Sequence, residues 1–90
     1  MELASIKADG KVTAAIITDR GYVCLETLNE LKRTAWPVEL KQLVEGPELR
    51  HLLTWYNAGG KAVVDNISRR YLVEKDKAEL TGEPFCTEEE

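Results

Sequence analysis

His51 is the only histidine in the chain, and Cys24 and Cys86 are its only cysteines. General bases, nucleophiles and soft metal ligands are drawn mostly from these residue types, so the catalytic inventory is thin. His51 falls beside Leu52, one position off the apolar face of a helix pattern. That is the place of a partly exposed polar residue rather than of a base or a metal ligand. The cysteines belong to no C-x-x-C pair, which leaves a zinc site short of ligands. Cys24 sits in an apolar strand pattern and reads as a small core residue. In a reducing compartment both should be free thiols. No serine or cysteine carries a nucleophile motif. Carboxylates are more plentiful, with 16 Asp and Glu, but Asp9 and Asp19 read as turn residues. Glu88, Glu89 and Glu90 end the chain on what reads as a frayed tail, where ordering them around a magnesium ion has a high entropic cost. Gly59-Gly60-Lys61 lacks the first glycine and the Ser/Thr of a phosphate loop and follows a helix pattern where that loop follows a strand, so it reads as a helix stop. No catalytic residue, metal ligand or cofactor is expected.

The residues left for function are those that could touch a partner. Trp55 lies at the edge of a helix's apolar face, and half-buried tryptophans are common at interfaces. Tyr22 opens a strand at the outer edge of a meander, where unpaired backbone groups can receive another chain. Glu88, Glu89 and Glu90 supply concentrated negative charge. Trp36 before Pro37 reads instead as a staple that packs on the helix it precedes.

Charge and hydropathy narrow the partner. The net charge is −4, and the 12 Lys and Arg are scattered, with Lys32-Arg33 and Arg69-Arg70 the only tight pairs. No basic stripe is present to follow a phosphate backbone, so direct nucleic-acid binding is not expected. The longest apolar run, Ala14-Ala15-Ile16-Ile17, is far short of a membrane span of roughly 20 residues. The first residues lack the basic and apolar regions of a signal peptide, which makes the cytoplasm the expected compartment. Asn66-Ile67-Ser68 fits a glycosylation sequon, which acts only in a secreted chain.

These residues need a scaffold. At 90 residues, 43% apolar and 31% charged, the chain has the composition of one small folded domain, expected over residues 1–80, with an acidic flexible tail over 81–90. Residues 3–8, 12–18 and 22–26 alternate as strands. Asp9-Gly10 and Asp19-Arg20-Gly21 supply tight turns, so an antiparallel meander opens the fold. Val12, Ala14 and Ile16 would share one face and Thr13, Ala15 and Ile17 the other. Both sets are largely apolar, so the second strand should be covered on both sides. Thr27 and Glu30 have capping-box spacing over a short helical turn. Pro37 would start a helix that stops at Gly46, and Pro47 a second one in which Leu49, Leu52, Leu53 and Tyr56 make an apolar face. Residues 61–80 read as helix, with a strand over 70–74 that returns to the meander as the alternative. The fold class is α+β, a three-stranded meander packed against two to three short helices.

One resemblance bears on function. Residues 3–12, followed by Ala14-Ala15-Ile16-Ile17 and Gly21-Tyr22-Val23-Cys24-Leu25, resemble the opening of fumarylacetoacetate hydrolase-family proteins. Those begin with a strand, an Asp-Gly turn, a second strand, a turn and a third strand. Residues 36–49 resemble the family's next segment, a proline-initiated helix, a glycine and a leucine-rich helix. The resemblance covers residues 2–60. It implies an N-terminal accessory domain, because the family's magnesium carboxylates and catalytic machinery lie in a larger domain downstream. No catalytic residue carries over to any position here. The expected function is therefore a non-catalytic interaction module that contacts protein, either a copy of itself or a larger subunit. One alternative is an acidic inhibitor that fills a basic nucleic-acid-binding groove on a target. The other is part of a magnesium-dependent acylpyruvate hydrolase whose catalytic domain lies elsewhere.

Overall fold

The computed structural model describes residues 2–8, 10–82 and 84–86. Strands β1 (Glu2–Ala8), β2 (Lys11–Thr18) and β3 (Gly21–Cys24) form the antiparallel meander. Gly10 takes the first turn at a φ of 78°, while Asp9 lies outside the described residues. Leu3 pairs with Ile16 and Ala4 with Ala15, and strand alternation then splits the side chains between two faces. Leu3, Ala14, Ile16 and Val23 enter one buried cluster, and Ala4, Ile6, Ala15 and Tyr22 enter another. The doubly apolar pattern of β2 is thus explained by cover on both sides.

The third strand is shorter than its sequence pattern, ending at Cys24, because α1 (Leu25–Lys32) begins at once. Leu25 and Leu28 are both buried at i, i+3 spacing, and that burial sets the helix start ahead of the Thr27 capping box. The next helix, α2 (Leu40–Glu45), starts later than Pro37 suggests. Its approach is held extended, since the Val38 carbonyl accepts from the Ala14 amide at 2.7 Å and from Thr13 Oγ1 at 3.1 Å. Pro47 immediately precedes α3 (Glu48–Trp55). This helix buries Leu52 and passes through a wide turn at Tyr56–Gly60 into α4 (Lys61–Asp65). Gly59 makes the kink with a φ of 128°. Leu53, expected on the core face, is only half-buried.

The last third corrects the helix expected over residues 61–80. α4 stops at Asp65, capped by the Asn66 side chain bonding back to the Ala62 carbonyl at 2.8 Å. A single 3₁₀ turn follows at Arg69–Tyr71. Val73 then pairs with Tyr22 through both backbone groups, at 2.8 and 2.9 Å. Of the alternative strand over 70–74, Val73 alone makes a bridge. Val73 and Ala78 pack on the sheet's second face as the chain leaves β3 for the far side of β1. There β4 (Glu79–Leu80) and β5 (Phe85–Cys86) pair antiparallel with β1. Leu80 lies opposite Ile6 and Phe85 opposite Leu3, so five steps on this edge match three on β1 (85 − 80 against 6 − 3). Gly82 and Pro84 fall between the two pairings, and a residue without an N–H is tolerated at such a break on a sheet edge. Thr81 reaches the Ser5 carbonyl with its amide at 2.9 Å and its hydroxyl at 3.0 Å. Pairing therefore continues past Thr81 as far as Cys86, inside the segment expected as a tail; residues 87–90 lie outside the described residues. Among the described residues, no helix is long and apolar enough to cross a membrane.

Candidate interaction surfaces

The structure separates the residues singled out for partner contact. Tyr22, expected at an open edge, is instead only 6% exposed. Alternation along β3 turns its ring onto the second face, among Ala4, Ile6 and Ala15, and Val73 closes the edge beside it. The outer edges of β3 and β1 both carry partners from the chain's own C-terminal third, so neither is the open docking edge of the sequence reading. Trp55 is half-buried against the other cluster, across the sheet from Tyr22. Its ring lies over Gly60, where a Cβ would come within 2.6 Å of the indole. Glu88, Glu89 and Glu90 lie outside the described residues.

The candidate chemical groups are likewise dispersed. His51 is exposed and lines a shallow depression with Pro47, Leu49 and Leu53. Burial, and after it the Glu26 carboxylate, pushes the Cys24 thiol above its ordinary value, which keeps it protonated and weakly nucleophilic at neutral pH. Among the described residues, no group of three His, Cys, Asp or Glu could hold a metal ion.

Among the described residues two further grooves stand out, and they share no lining residue. The first, about 550 Å³, runs between the β1–β2 hairpin and α2. Val12, Leu40 and Val44 supply its apolar lining, and Ser5, Thr13 and Thr81 its polar one. Val12 is 56% exposed and Val38 39% exposed. The Val38 carbonyl bonds to residues 13 and 14 put the two valines on neighbouring segments. Glu39 and Lys41 stand at the rim.

The segment that carries Val38 is positioned by Asn29, a residue sequence reasoning passed over. Its Nδ2 donates to the Trp36 carbonyl at 2.9 Å, and its Oδ1 accepts from the Trp36 amide and from Thr34 Oγ1, both at 2.8 Å. The only sequence signal is an asparagine inside a helix, a residue type that favours local backbone bonding over helix interiors. Asn29→Ala leaves these half-buried groups unpaired and should cost about 1–3 kcal/mol. Urea unfolding checks this, and an unchanged midpoint would remove the clamp from the account.

The second groove, about 380 Å³, lies between the end of α1 and the chain from α4 to the 3₁₀ turn. Leu31, Val63 and Ile67 give it apolar walls, and Asn66, Ser68 and Tyr71 give it polar groups. Lys32 lines one side. Arg69 and Arg70 fall between two lining residues, Ser68 and Tyr71, on the other. One member of each tight basic pair, far apart in sequence, thus meets this groove: Lys32 lines it, and Arg70 bonds to its lining residue Tyr71.

No family model matches the chain, and no match is found among the curated proteins or the solved structures.

Proposed function

We propose that this domain is a non-catalytic accessory module of the cytoplasm that works by docking on a larger protein subunit through the Val12–Val38 strip. The observation that carries the reading is Val12. It is the second residue of β2, opposite Lys7 and one pair from the hairpin turn, and is 56% exposed. Val38, on the segment bonded to residues 13 and 14, is also exposed, and Leu40 and Val44 line the groove with Val12. Exposed apolar side chains that are clustered, ringed by polar groups and mounted on rigid elements have the make-up of an interface centre. In its specific form the module is the accessory domain of a fumarylacetoacetate hydrolase-like enzyme. That form rests on the resemblance over residues 2–60, and the magnesium carboxylates would then stand on the partner.

Val12→Asp with Val38→Asp tests it. Both sites are exposed, so stability should change little, by about 0.5 kcal/mol or less at each. Placing two charges at the centre of an apolar contact should weaken association more than tenfold. Tagged wild-type and double-variant domains are used as parallel baits in extract of the source cells. A polypeptide retained by the wild type and lost by the variant supports docking through this strip. Identical recovery by both baits would sink it.

A further inference from the structure

We propose that the groove between α1 and the 3₁₀ turn binds an acidic peptide segment of a partner protein, with an apolar side chain of that peptide seated between Leu31, Val63 and Ile67. The inference is independent of the Val12–Val38 strip, because the grooves share no lining residue.

Charge points to the occupant. In a chain of net charge −4, Lys32 lines this groove, Arg70 donates to the hydroxyl of its lining residue Tyr71, and among the described residues no carboxylate lines it. Of the two acidic residues that adjoin lining residues in sequence, Asp65 is engaged by Lys61 at 2.7 Å. Glu30 precedes the lining residue Leu31 on α1 and is exposed. Two of the basic groups near the groove are preorganised. The Arg70 guanidinium stands 5.0 Å from the centre of the Tyr71 ring and donates to the Tyr71 hydroxyl at 2.9 Å. Arg20 donates to the Ile67 carbonyl at 2.8 Å, which fixes the loop that forms one wall. A positive rim attracts carboxylates and sets the register of the segment that carries them.

The apolar lining separates a peptide from a nucleic acid. Leu31, a lining residue, is 39% exposed, with Val63 beside it in the groove. A sugar–phosphate backbone leaves such surface uncovered, while a leucine or phenylalanine between two carboxylates covers it and meets the rim at once. Asn66 and Ser68 offer polar groups to the peptide backbone.

Selection from a displayed library of random twelve-residue peptides tests this, with wild-type domain and the Lys32→Glu/Arg70→Glu variant as parallel baits. The expected result is enrichment of peptides that combine Asp or Glu with a large apolar residue on the wild type, absent on the variant. Affinity of a selected peptide should fall at least tenfold between 50 and 500 mM salt. Lys32→Gln/Arg70→Gln, which removes charge without reversing it, should weaken binding in the same direction and covers misfolding of the first variant. Val12→Asp should keep these peptides, so failure of the docking strip and failure of this groove are told apart. The proposal is overturned if no acidic peptides are enriched, if both basic-site variants keep them, if the apolar residue is dispensable, or if single-stranded oligothymidylate binds as tightly.

Discussion

Gly21→Val should destabilise the domain by about 3–5 kcal/mol, the sum of backbone strain and lost hydrogen bonds. Gly21 has a φ of 148°, a conformation side chains rarely adopt, and a Cβ there would come within 2.7 Å of the Val73 carbonyl oxygen. That oxygen accepts the Tyr22 amide, and Val73 donates back to Tyr22. Valine at position 21 therefore strains the turn and pushes away the residue that closes the edge of β3. The loss is large against the about 5–13 kcal/mol total stability of a domain this size. Gly21→Ala carries the same Cβ and should show most of the effect. Urea unfolding measures both, and midpoints within error of the wild type would show that the Gly21 turn and the Val73 bridge contribute little.

Leu52→Ala is the second large effect. Leu52 is fully buried in the cluster that joins α3 to the sheet, with Leu43 and Leu3. Truncation removes buried apolar surface and leaves a cavity, a loss of about 2–5 kcal/mol. Leu53, its neighbour, is half-buried and lines the depression beside Pro47, so Leu53→Ala should cost about 1 kcal/mol. The helix period alone does not separate the two leucines, because the register of the apolar stripe is set by the sheet it packs on. Equal losses from both substitutions would contradict the packing described for α3.

The parts of the fold legible in sequence were those specified by neighbours along the chain. Gly10 and Gly21 mark the turns, alternation over β1 and β2 gives the strands, and the apolar content on both sides of β2 announces cover on two faces. What escaped depends on distant partners. The run Val63, Val64, Ile67, Tyr71 and Leu72 fits a helix, yet Val73 is drawn out of it by two backbone bonds to Tyr22. Edge strands of two residues, such as Glu79–Leu80 and Phe85–Cys86, are too short for a periodic signal and exist through β1. Tyr22 reads as an edge residue because the single Val73 bridge that covers it leaves no periodic signal. The exposed valines, the Asn29 clamp and the groove that Lys32 shares with Tyr71 each join residues that sequence spacing does not connect.

Placing a photo-crosslinking residue at position 38 in living cells tests the docking reading most directly. The account predicts one discrete adduct with a larger polypeptide, lost when Val12→Asp is added and absent when the same probe replaces the exposed Lys75. No discrete adduct at position 38, or the same adduct from both positions, would contradict docking through the Val12–Val38 strip.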